Sequence, residues 1–351
     1  MKKSKKQLFN FLFILLTLGV VLWITIGNTE IENLGEALVS AAPIWLVLGL
    51  FSFILTQFFD AFSFYYYFKK QGYSIGFWYC FYISFMGQYF NNVTPGASGG
   101  QPFQVYYLKK QGVPIGVGSS AVAVKFFCNQ LVYVAFALFF LASKNELLSM
   151  VFAERSWWIL IFGLVFHSFN VVIILLLTIN TKWVQWVLVF IIKILTKIRL
   201  VKNANAAVAK IEGILSSFSS SVDMIKRHPK ELFIQIFITS CQAFFLMAVP
   251  YCVYLSLGLS GASFIDIFAL GVFLYISASH IPLPGASGAQ EGGFVLFFKT
   301  IFPSNLIFAA LLLWRFTTYY LQVFTGVIIT LVRPITAGGK KAPSSPADDD
   351  E

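Results

Sequence analysis

Hydrophobic residues along this 351-residue chain fall in long, nearly unbroken runs, and polar residues gather in the short breaks between them. An apolar run of about 18 residues or more predicts a membrane-crossing helix, because roughly 20 residues at the helical rise cover the hydrocarbon core. Such runs lie at about 8–27, 43–68, 73–90, 115–142, 157–180, 231–258, 263–281 and 305–332. The pattern therefore predicts an all-α polytopic membrane protein with about eight membrane-inserted elements. The first run follows MKKSKKQ but has no small-residue cleavage site behind it, so it reads as a first span rather than a signal peptide. Residues 181–230 differ: Lys and Arg occupy one side of the pattern and Trp, Ile and Leu the other. This predicts cytoplasmic helices, the first lying in the membrane interface. The tail, 336–351, is low in complexity and is expected to be disordered, leaving 1–335 as a single transmembrane domain.

Two of the polar breaks are nearly the same. Residues 95–101 read PGASGGQ and residues 284–290 read PGASGAQ, identical at six of seven positions. A YIS triplet precedes each copy, at Tyr82–Ser84 and Tyr275–Ser277. A cation follows each, deep in the next apolar run: Lys125 stands 30 residues after Pro95, and Arg315 stands 31 after Pro284. A charge at that depth costs on the order of 3 kcal/mol. These coincidences predict an internal duplication, with repeat units of about 73–142 and 263–332.

Proline lacks an amide donor and glycine admits unusual backbone angles, so each heptad interrupts its helix. Backbone groups freed within a bilayer must find partners, which confines such a break to protein interior or a wet cavity. A helix restarting near Gly100 or Gly288 would turn its free N–H groups and positive dipole end toward that cavity, an arrangement suited to phosphate. In the first copy the candidate substrate-binding residues are Gly96, Ser98, Gly99, Gly100, Gln101 and the cation Lys125. In the second they are Gly285, Ser287, Gly288, Gln290, Glu291 and Arg315. The competing readings are that the small residues only allow close helix packing, and that the cations form structural salt bridges with Glu291 or Asp60. Glu291 directly follows the second heptad where the first has Pro102; it reads as a coupling site, a contact for a headgroup amine, or a counter-ion for Arg315. Asp60 and His280 are weaker candidates, and His167 reads as structural.

Composition sharpens this picture. With 58% hydrophobic and 11% charged residues, a soluble core of this size could not be covered. The net charge of +10 comes from Lys and Arg between the spans, not from bases interleaved with aromatics as in a nucleic-acid surface. If each heptad turns back without crossing, twenty of the 25 cationic residues fall on one side and three on the other. The bias of Lys and Arg toward the cytoplasm then puts both termini inside a cell membrane. The same count turns the two repeat units upside down relative to each other, an architecture that recurs in secondary transporters. The four cysteines show no metal or disulfide spacing, and no catalytic constellation or phosphate loop appears, so neither a cofactor nor a metal is expected.

The pattern P-G-x-x-G-x-Q/E after a hydrophobic run, repeated near the C-terminus and followed by an Arg-bearing span (LLLWRFTTYYLQVFTG), resembles the lysylphosphatidylglycerol synthase membrane-region family, also called flippase-like. The resemblance covers about 8–333 and is most specific at 91–112 and 280–326. It implies a membrane unit that moves a lipid across the bilayer; in the two-part synthases that lipid is aminoacylated phosphatidylglycerol. This chain departs from the family at Asp60, where Arg is frequent, and at Lys125, also frequently Arg. With so little chain after the last span, it is expected to lack the soluble aminoacyl-transferase domain of the two-part synthases. The expectation is therefore a non-enzymatic translocator of an anionic lipid or polyprenyl-phosphate headgroup, with membrane lipids and a lipid-linked substrate as partners. The alternatives are a membrane glycosyl- or phosphotransferase using a lipid-linked donor, and a non-transporting partner of another membrane protein.

Overall fold

The computed structural model describes residues 31–144, 157–179 and 229–332, apart from 280 and 282, with isolated positions between 180 and 228. The expected first span, the interfacial helices and the tail lie outside the described residues, wholly or almost so. Among the described residues the fold is all-α, and four helices are long and apolar enough to cross a membrane. Those four are α2 (Pro43–Lys70), α5 (Ile115–Ser143), α7 (Pro229–Ser256) and α10 (Ile307–Val332). A helix absent from the sequence reading, α1 (Ile31–Ser40), precedes Pro43, the residue that opens α2. The remaining helices are α3 (Phe77–Val93), α4 (Gly100–Lys110), α6 (Trp157–Ile179), α8 (Phe264–Ala278) and α9 (Ala289–Phe298).

Each heptad breaks its helix as the proline and glycines dictate, and the two breaks have one geometry. A single 3-10 turn, Pro95–Ala97, separates α3 from α4, and another, Pro284–Ala286, separates α8 from α9. The left-handed pair is Gly96 (φ 62°) and Ala97 (φ 50°) in the first copy. In the second it is Gly285 (φ 59°) and Ala286 (φ 48°). A left-handed alanine costs roughly 1–2 kcal/mol, and finding the same cost at the same place twice ties the two units together. At 1.5 Å per residue, α4 with 11 residues and α9 with 10 reach only about half way across a bilayer.

Each unit folds back on itself. In the first, α3 packs along α4, and Tyr79 at the start of α3 donates its hydroxyl to the Tyr107 carbonyl near the end of α4 at 3.0 Å. The unit therefore ends on the face where it began. The flanks agree, for Lys69-Lys70-Gln71-Gly72 closes α2 and Lys109-Lys110-Gln111-Gly112 closes α4. Both quartets end in a left-handed glycine, with Tyr73 N–H bonded back to the Phe68 carbonyl at 2.9 Å and Val113 N–H to Leu108 at 3.2 Å. In the second unit α8 packs along α9, and the two 3-10 turns abut.

The apolar side chains divide accordingly. One core gathers α8, α9 and the first part of α10 around Phe273, Phe294 and Phe298, with α5 and α7 adding Tyr133 and Val249. The other gathers the end of α2, α3, α4 and part of α5 around Phe64, Ile83 and Leu108, closed by Tyr319 and Val323 from α10. Helices α2 and α7 run side by side. Ser63 donates to Gln235 at 2.7 Å, and the Gln235 amide returns to the Ser63 carbonyl at 3.0 Å. Large apolar side chains such as Phe51, Phe162, Phe169 and Phe237 are exposed on the outer surface, as lipid-facing positions require.

Candidate functional site

Between the two cores lies a cavity of about 590 Å³ into which both 3-10 turns project. Its walls come from helices whose outer faces are apolar, and the inner faces carry polar stripes at helical spacing. Thr56, Gln57 and Asp60 line it from α2, and Ser84, Gln88 and Asn91 from α3. Helix α4 adds Gln101 and Gln104, α5 adds Lys125 and Asn129, and α7 adds Gln242. Asn and Gln make up twelve of the thirty-one lining residues, while Lys125 and Asp60 are the charged ones among the described residues.

Those two charges meet. Lys125 Nζ lies 2.5 Å from one Asp60 oxygen, and the other accepts from the Gln242 amide at 2.9 Å. Lys125 also sits over the Phe64 ring, 4.3 Å from its centroid. The cavity wall thus carries a cation that a neighbouring carboxylate neutralises. Tyr275, from the second YIS triplet, donates to Asn129 at 3.1 Å and stacks on Tyr133 at 3.7 Å between ring centroids.

The other cation is placed differently. Arg315 Nε and Nη2 reach Glu291 Oε1 at 2.7 and 2.6 Å, with both side chains about 95% buried. Nη2 also approaches the Gly285 carbonyl at 3.3 Å, and Glu291 Oε2 accepts from the Gly288 N–H at 2.5 Å. The guanidinium lies 4.8 Å from the centre of the Tyr319 ring. A side chain on Gly285 would meet that ring at 2.2 Å, so glycine is needed there for space as well as for its backbone angle. Directly after Arg315 the helix widens into a π-turn over Phe316–Tyr320. Arg315 and Glu291 together pin the second break from behind and are not part of the cavity wall.

The predicted residues therefore separate into two groups. Gly96, Gln101, Lys125, Gly285 and Gln290 line the cavity; Ser98, Gly99, Gly100, Ser287, Gly288, Glu291 and Arg315 do not. The restarted helices also find acceptors within the protein for leading N–H groups that the sequence reading had offered to phosphate. Gly99 N–H donates to Thr94 Oγ1 and Gly100 N–H to Asn91 Oδ1, each at 2.9 Å. His167 is fully buried, with Nε2 2.9 Å from the Ser279 hydroxyl, and His280 lies outside the described residues.

Of the amide lining, only Gln101 and Gln290 follow from the heptads. Its signal in the sequence is the polar stripe itself: Gln57 and Asp60, Gln88 and Asn91, Gln101 and Gln104, and Lys125 and Asn129 each stand three or four residues apart in otherwise apolar helices.

Comparison with known proteins agrees with this architecture. Residues 10–326 match the family described as the lysylphosphatidylglycerol synthase TM region. A UPF0104 membrane protein of Methanocaldococcus jannaschii is 25% identical over 343 residues, covering 94% of this chain and 95% of its own. A UPF0104 membrane protein of Archaeoglobus fulgidus is 23% identical over 259 residues, covering 73% and 76%.

Proposed function

Because the chain belongs to the lysylphosphatidylglycerol synthase TM-region family, we propose that it moves a lipid across the cell membrane by passing the polar headgroup through the amide-lined cavity. The observation that carries this reading is a polar cavity between two broken helices whose turns abut, inside a shell of lipid-facing apolar residues. Polar groups are costly in hydrocarbon, so a lined passage lowers the barrier for a headgroup while the acyl chains stay in lipid.

Lys125 supplies the contact for a lipid phosphate. Asp60 already bonds Gln242, so it keeps a partner when the ammonium turns to a substrate. In this reading the two units face opposite leaflets, both termini lie in the cytoplasm, and one unit rocks against the other about the abutting turns.

The test is lipid movement in vesicles holding the purified full chain. Wild type is expected to move an acyl-labelled anionic phospholipid between leaflets, and Lys125→Gln to slow it at least tenfold at unchanged thermal stability. Movement no faster than in protein-free vesicles would refute the proposal.

A further inference from the structure

We infer that the headgroup portion seated in the cavity is polyhydroxylated, a sugar or polyol. This rests on the translocation reading and specifies its substrate class. The argument is one of hydrogen-bond balance. Each Asn or Gln side chain offers two donors and a carbonyl acceptor, whereas a phosphate only accepts and an ammonium only donates. A wall of amides such as Gln57, Gln88, Gln101 and Gln290 would leave its carbonyls unmatched around a bare phosphate and its NH₂ groups unmatched around a bare amine. Hydroxyls donate and accept, so a polyol matches both.

Charge supports the same choice. Asp60 neutralises Lys125, so the wall offers one cation for a single phosphate and little net charge for a larger ionic group. Two buried groups on the wall point the same way. Ser84 Oγ and Gln322 Nε2, on residues only 1% exposed, have no hydrogen-bond partner among the described residues. A buried donor left unmatched costs about 1–3 kcal/mol, which a ligand hydroxyl at this wall offsets once the side chain turns to meet it. Phe126 and Phe166 add apolar surface to the lining for the C–H groups of a sugar. The volume, about 590 Å³, lies within the range typical of small-molecule sites.

The experiment compares acyl-labelled lipids in vesicles bearing the full chain: phosphatidylinositol, phosphatidylglucoside, phosphatidylcholine and phosphatidic acid. The two polyol lipids are expected to cross at least tenfold faster than the other two. Gln101→Leu and Asn129→Leu are each expected to shrink that preference severalfold, and Gln101 is exposed at the cavity, so its variant tests recognition without threatening the fold. Native mass spectrometry of the same protein, mixed with the same lipids, is expected to retain phosphatidylinositol over phosphatidic acid. Crossing without a polyol preference overturns the inference while translocation stands. Selective retention without crossing upholds polyol recognition while translocation fails. Free myo-inositol is expected to slow lipid crossing; its uptake into the vesicles as fast as the lipids cross would overturn a lipid-linked source.

Discussion

The first broken unit, α3–α4, and the second, α8–α9, share a backbone but hold their restarted helices by different means. In the first, acceptors come from the preceding helix and the turn: Asn91 and Thr94 take the Gly100 and Gly99 amides. In the second, the positions aligned with these are His280 and Leu283, and leucine has no acceptor to offer. The acceptor comes instead from within α9, where Glu291 at the third helical position reaches back to the Gly288 amide, one arm of a capping box. A carboxylate buried there must be neutralised, and Arg315 neutralises it. The aligned residue in the first unit is Pro102, which leaves Lys125 to pair outside its own unit with Asp60 on α2. The two breaks thus share a shape and differ in where the cation that follows finds its carboxylate. The second unit uses its cation to fix the fold, while the first presents its cation to the cavity.

The strongest way to break that comparison is to remove both cations in turn. Arg315→Ala strands Glu291 in the interior, and loss of one partner from a buried pair destabilises by about 3–5 kcal/mol. Lys125→Ala leaves Asp60 with its Gln242 bond beside a polar cavity, where losing a charged hydrogen bond costs about 1.5–3 kcal/mol. Thermal unfolding in detergent is expected to show a large drop in midpoint for the first variant and a smaller one for the second. Equal losses would mean that the two pairs play the same part.

Much of this was legible in sequence because it is written in residue types with few uses. Proline and glycine inside an apolar run force a break, and the restart positions follow from where they end, Gly100 and Ala289 against the expected Gly100 and Gly288. Intramembrane Lys and Arg were recognisable as costly, and Glu291 and Asp60 stood out as carboxylates able to pair with them, but which carboxylate meets Lys125 depends on which helices touch. Asp60 and Lys125 are 65 residues apart, and α2 meets α5 only through tertiary packing. The matching Lys-Lys-Gln-Gly quartets escaped notice because basic residues after a span read simply as membrane-edge charge. The extent of the amide lining escaped for a related reason: its amides are spread over many helices, and each stripe alone is too short to stand out.

The capping difference makes a second, smaller prediction. Thr94→Ala removes the acceptor for Gly99 N–H at the start of α4 and is expected to cost about 1 kcal/mol, as lost helix caps do. The aligned change Leu283→Ala touches no cap, and its side chain is exposed, so the expected change is within about 0.5 kcal/mol. Equilibrium unfolding of the two variants under one condition checks the contrast. A Leu283 variant as destabilised as the Thr94 variant would remove the distinction between the two modes of capping.

The smallest effect tests whether the first unit can accept the second unit's solution. Pro102 is exposed and stands at the third position of α4, where Glu291 stands in α9. Proline is tolerated there because the leading amides of a helix lack intrahelical partners, and glutamate suits the same place through the helix dipole. The Gly99 amide is already taken by Thr94, so a carboxylate at position 102 finds its capping role filled. Pro102→Glu alone is therefore expected to shift stability by less than about 0.5 kcal/mol. Combined with Thr94→Ala, the same substitution should recover most of the lost cap, because the new carboxylate can then take the Gly99 amide as Glu291 takes that of Gly288. Failure of that rescue would show that the second unit's cap depends on Arg315 holding the carboxylate in place, and not on helix position alone.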